Sequence, residues 1–138
     1  MPRGAKIPHR NLSPSGWWVF IEVQQWVSDR QGKAGLKPGS RCKVWKNTRL
    51  IRAKDREAAY AKAMALGAEG MPSRTIHGEW RFAGLTELLP VYEDLEDGAE
   101  ILWGSYEMSV KTLKSQVKRK RELGVFDDTL RECDVTPR

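Results

Sequence analysis

Hydrophobic and polar positions alternate most clearly over Trp17–Val27. The odd positions Trp17, Val19, Ile21 and Val23 form one wholly apolar set, while Trp18, Phe20, Glu22, Gln24 and Trp26 form a mixed, aromatic-rich set. Period-two alternation of this kind predicts a strand with its pure face on a core. A glycine- and proline-containing stretch, 28–41, then predicts a long loop. A second strand is predicted over about 43–53. Val44, Trp45, Leu50 and Ile51 do not fall on one face by strict alternation, so a bulge is expected near Asn47-Thr48.

The period changes after Asp55, a good N-cap with Glu57 in the first turn. Alanines at 58, 59, 61, 63 and 65 predict a helix over about 55–66, ended by Gly67 and lying close against a sheet. Beyond a Gly70/Pro72/Ser73 connector, alternation returns over 76–85, with Ile76, Gly78, Trp80, Phe82 and Gly84 on one side. Pro90 argues against a helix there, so 88–92 is expected to be extended. Asp97-Gly98 signals a turn into a further strand at 99–106. Ser109 is placed to cap a last helix over 109–123, ahead of Gly124. The fold class that follows is α+β: an antiparallel sheet of four or five strands, one helix packed on it, and a second, basic helix near the C-terminus. Residues 1–16, with three prolines, are expected to be a flexible basic arm, 17–124 a single domain, and 125–138 a tail.

Three stretches taken together resemble a known family. They are Arg49-Leu50-Ile51-Arg52-Ala53-Lys54-Asp55-Arg56-Glu57-Ala58-Ala59-Tyr60-Ala61-Lys62-Ala63, then Gly78-Glu79-Trp80-Arg81-Phe82-Ala83-Gly84-Leu85, then Leu95-Glu96-Asp97-Gly98-Ala99-Glu100-Ile101. Preceded by the Trp17-Trp18 strand, this order is similar to the bacterial domain of unknown function 4288, over about residues 17–106. The resemblance implies a small single-domain protein with an aromatic first strand and an acidic-capped helix. It carries no catalytic or binding residues to these positions.

Composition narrows the function classes. The chain of 138 residues is 40% hydrophobic and 30% charged, with no apolar run of the ~18–20 residues that a membrane helix needs. The N-terminus lacks the apolar stretch of a secretory signal, and Cys42 and Cys133 are too few and too far apart for a disulfide framework. A reduced, cytoplasmic protein is expected. The net charge of +6 is unevenly spread: residues 1–82 carry +10, 83–107 carry −7, and 108–138 carry +3. Anionic partners, or an acidic segment folding back on basic surface, both suit this pattern.

Candidate chemistry centres on two features. On a 109–123 helix, Lys111, Lys114, Lys118 and Arg121 make a ridge beside a Val110/Leu113/Val117 stripe, widened by Arg119 and Lys120. Such a ridge suits loose, salt-dependent contact with phosphates, or else a solvated face. The mixed face of the first strand presents Trp18, Phe20 and Trp26, which suits a homodimer interface or a second packed layer better than a base-stacking platform, with the homodimer favoured. Signals for catalysis are poor. His9 and His77 stand apart, no phosphate loop or nucleophile elbow is present, and neither cysteine has a neighbouring histidine. Glu79 and Arg81, with the distant carboxylates Glu22 and Asp55, stretch to a nuclease-like metal site, but a carboxylate and a cation two apart on a strand better suit a simple ion pair. The reading is a non-catalytic protein-interaction module, homodimeric, with no cofactor or metal and no membrane partner. The alternative is a nucleic-acid-associated protein using the basic helix.

Overall fold

The computed structural model describes residues 6–129. Residues 1–5 of the expected arm and 130–138 of the expected tail, with Cys133, lie outside them. Four antiparallel strands form one sheet in the order β2-β1-β4-β3: β1 is Trp17–Ser28, β2 Val44–Arg52, β3 Ser73–Thr75 and β4 Gly78–Pro90. Helix α1, Arg56–Ala68, connects β2 to β3. The chain divides into two units, 1–103 and 104–138, and the sheet belongs to the first.

β1 lies at the centre and pairs with both long neighbours. Its alternation does make it a strand, but α1 covers the opposite face from the one the pattern favoured. Trp18 and Phe20 are buried with Ile51 of β2 and Ala59 and Ala63 of α1, flanked by Leu66, Leu85 and Leu88. Burial is decided by what three adjacent strands place on one side rather than by the purity of one strand. Ile51, Trp80, Phe82, Leu85 and Leu88 all share the side of Trp18 and Phe20. Two register shifts in the β1–β4 pairing, between Ile21 and Glu22 and between Val23 and Gln24, bring Leu85 and Leu88 to that side. On the other face Val19 is buried between Leu50 and Leu89, while Trp17, Ile21 and Val23 are half-buried.

α1 behaves as its alanines predict. Asp55 caps it, accepting a hydrogen bond from the Ala58 amide at 2.8 Å. Ala59, Ala63 and Gly67, four residues apart, form the buried stripe that lets the helix approach the sheet. Gly67 therefore does not end the helix. It lies within it, where a β-carbon would stand 2.4 Å from the Phe82 ring, and Gly70 takes the positive φ instead.

Several expectations are corrected. The bulge near Asn47-Thr48 is absent: β2 pairs with β1 in unbroken register, because Val44 and Leu50 point to the face away from α1. The extended segments 76–85 and 88–92 are largely one strand, β4, which starts at Gly78 and ends at Pro90. Ile76 and His77 form the tip of the β3–β4 hairpin, and Ile76 is 88% exposed. No strand forms over 99–106, where Ile101, Leu102 and Trp103 are three adjacent apolar residues that define no single sheet face. Residues 6–16, expected to be mobile unless docked, are tied to the sheet. Tyr92 Oη donates to the Arg10 carbonyl, and Ser13 and Ser15 donate to the Trp17 and Val91 carbonyls.

Candidate interaction surface

The three aromatic interface candidates do not make a surface. Trp18 is buried, and its indole Nε1 donates to the Ala53 carbonyl at 3.1 Å. Phe20 is buried beneath the Arg49 guanidinium, 5.7 Å from its ring centre. Trp26 is half-buried and tilts against Trp80 at 5.3 Å. α1 covers Trp18 and Phe20, which removes those two from any interface, while Trp26 packs on Trp80 and stays half-buried.

The six phosphate-binding candidates are all exposed, but they do not share one helix. Helix α2 spans only Val110–Gln116, capped by Ser109, and holds Lys111 and Lys114. Val117 is already extended, and Lys118 and Arg119 follow on non-helical backbone. Lys120 and Arg121 lie in a short 3-10 turn. Like charges three and four residues apart (Lys114 with Lys118, Lys118 with Arg121) oppose helix there. Arg119 instead pairs with Glu122 at 2.7 Å, which holds the Glu122 carboxyl below its usual range. Lys120 lies over the Phe126 ring. Val110, Leu113 and Val117, the expected apolar stripe, are exposed.

The residues weighed for catalysis are dispersed. Asp55 is the cap of α1, and Glu79 binds Arg81 at 2.7 Å on the face away from α1. His77 is exposed at the hairpin tip, His9 lies in a short 3-10 turn, and Cys42 is an exposed free thiol. Among the described residues, no three of His, Cys, Asp and Glu stand together as metal ligands would. Glu22 is on the α1 face and belongs to a buried polar group that alternation alone did not reveal. Asn47 Nδ2 donates to Glu22 Oε1 at 3.1 Å, Trp45 Nε1 donates to Asn47 Oδ1 at 2.5 Å, and Arg49 lies 3.5 Å from Glu22 Oε2. The cross-strand pairs Glu22/Asn47 and Phe20/Arg49 place these groups together. The signal was present in β2 as polar residues at 47 and 49, in step with Trp45 and Ile51. The group is structural in form: a carboxylate removed from water with partners that offset the cost. Two clefts of about 410 and 400 Å3 flank α1, one walled by Trp18, Tyr60 and Leu88, the other by Met71, Pro72 and Phe82.

The feature best suited to a partner is the outer edge of β2. β2 is the first strand of the sheet and has β1 as its neighbour on one side alone. The bonds Trp26 N to Lys43 O and Ala53 N to Gly16 O flank the strand. By the alternation of antiparallel ladders they fix which residues point their backbone groups at β1. Residues 45, 47, 49 and 51 bond to β1, so Val44, Lys46, Thr48 and Leu50 direct N–H and C=O outward. Among the described residues none bonds to those eight groups. The next outward carbonyl, of Arg52, accepts from Lys62 Nζ at 3.0 Å. The side chains of Val44 and Leu50 are 46% and 40% exposed. Such an edge offers hydrogen bonds to any extended chain laid along it.

Residues 38–103 match the model of one protein family, described as Domain of unknown function (DUF4288). The match begins at Pro38, so it takes in β2, α1, β3 and β4 but not β1. No curated protein and no solved structure matches the chain. Among the described residues no helix is long and apolar enough to cross a membrane.

Proposed function

From the premise that residues 38–103 carry a DUF4288 domain, we propose that this protein is a non-catalytic interaction module that works as a homodimer in the bacterial cytoplasm. The observation that supports this is the β2 edge, with its outward backbone groups unbonded and two aliphatic side chains exposed beside them. Solitary proteins shield such edges by bulges, proline, charged side chains, a covering element or short length, and of these β2 carries only the charges. β2 has nine residues in unbroken register, no proline, and Lys46 and Arg52 as its outward charges. The dispersion of Glu22, Asp55, Glu79 and His77 over both sheet faces, the helix cap and the hairpin tip suits binding rather than catalysis. The test is light scattering at tens to hundreds of micromolar. A mass of twice 15.7 kDa supports the dimer, and 15.7 kDa throughout removes it.

A second reading, contact with nucleic acid, draws on the exposure of Lys111, Lys114, Lys118, Arg119, Lys120 and Arg121. Its readout is retention on random DNA or heparin that falls with salt. Lys111→Glu with Lys114→Glu would weaken that retention. No retention at low salt eliminates this reading and leaves the first intact.

A further inference from the structure

We propose that two copies of this chain join by antiparallel pairing of their β2 strands, in the one register that centres Asn47 on Asn47 of the second copy. The inference rests on the homodimer reading and adds the surface and alignment to it. Two observations set the alignment. The unbonded outward groups belong to Val44, Lys46, Thr48 and Leu50, and the midpoint of that run is residue 47. Lys62 already occupies the Arg52 carbonyl, which ends the run on that side. A two-fold axis through Asn47 then pairs every free group with another: residues 46 and 48 exchange bonds with 48 and 46 of the second copy, and 44 and 50 with 50 and 44.

Side chains select the same alignment. Centred on Asn47, Val44 faces Leu50 of the second copy on the side away from α1, so the two exposed aliphatic residues of each edge cover one another. Lys46 faces Thr48, and no like charges oppose. On the α1 side, Trp45 comes opposite Arg49, so no like charges meet there either. Centring on Lys46 sets lysine against lysine, and centring on Arg49 sets arginine against arginine. Centring on Thr48 places Val44 against Arg52 and Leu50 against Lys46, which leaves aliphatic surface beside charge. Of these four axes, the Asn47 one alone satisfies the backbone, the apolar pairs and the charges together.

The experiment uses the full chain with Cys42→Ser and Cys133→Ser. Thr48→Pro removes an N–H that β1 does not use, so the strand keeps its own ladder while the docking bond is lost. The expected result is a dimer dissociation constant raised at least about 30-fold with circular dichroism unchanged. Independently, Val44→Cys and Leu50→Cys chains are oxidised alone and mixed. Facing hydrogen-bonded residues lie about 5.5 Å apart, within disulfide reach, whereas 44 to 44 or 50 to 50 is about 20 Å. A disulfide dimer from the mixture alone is expected. If the wild type is a dimer, but Thr48→Pro dimerises equally and the mixture does not cross-link, this surface is wrong and self-association stands. If the wild type stays monomeric, both readings fall. Should Thr48→Pro unfold, the cysteine mixture decides by itself.

Discussion

Gly78 faces Ser28 where the β3–β4 hairpin meets the central strand, and a methyl group there would stand 2.4 Å from the Val27 carbonyl oxygen and 2.8 Å from the Trp26 ring. Backbone cannot yield as a side chain can. Gly78→Ala is therefore expected to lower stability by about 1–3 kcal/mol in urea unfolding, while Gly39→Ala, which meets open space, stays within about 0.5 kcal/mol. Glu22 makes the same point for charge. Its buried carboxylate has Arg49 as its ion-pair partner, and that side chain is partly exposed. Arg49→Ala leaves the carboxylate with Asn47 and is expected to cost about 1–3 kcal/mol, below the full loss of a wholly buried pair. Glu122 gives a residue-scale pH effect. The Arg119 side chain, then its backbone amide, hold its carboxyl below the usual range. The turn they close is thus intact above the ordinary glutamate pKa and opens as pH falls through the lowered one. Titration by NMR should place the Glu122 midpoint low, and Arg119→Ala should return it to the ordinary range.

Elements with a complete local signal were legible before the fold was known. Asp55, Glu57 and five alanines specify α1, and Asp55→Ala is expected to cost about 1 kcal/mol, read as a lower thermal midpoint with unchanged secondary structure. An antiparallel sheet followed from alternation in β1 and β4 and from the apolar residues of β2, although the strand expected over 99–106 does not form and β3 takes the fourth place. What alternation did not carry is the choice of face. That choice belongs to the sum of three strands, including two register shifts in β4 that no single-strand pattern contains. β3 has only three residues, too few to show a period, and it forms because the Ile76–His77 tip returns it to β4. Residues 109–123 show the opposite failure: the stripe and caps suggested one long helix, yet four consecutive cations and no buried side chain leave seven residues helical. The candidate edge was likewise hidden, since whether β2 is central or peripheral depends on strand order.

For the whole molecule, the proposed dimerisation through β2 would change what stability means. A partner that binds the folded chain and not the unfolded one raises apparent stability by mass action, so the unfolding midpoint depends on protein concentration. β1 holds both β2 and β4, and α1 closes over all three, so the sheet has its core within one chain. The monomer should consequently fold alone and gain from its second copy, rather than require it. Two consequences follow, and the second separates this from an obligate dimer. Raising the wild-type concentration from about 1 to 100 µM should lift the thermal midpoint by several degrees, on the order of 2–3 kcal/mol of linkage if the dissociation constant is near 1 µM. Thr48→Pro, lacking the docking bond, should still fold, with a midpoint near the dilute wild-type value that moves much less over the same range. Calorimetry over that range reads both. A wild-type midpoint that does not move with concentration, in a chain that scatters as a dimer, would mean that unfolding does not separate the two copies, which a contact between folded strand edges does not explain.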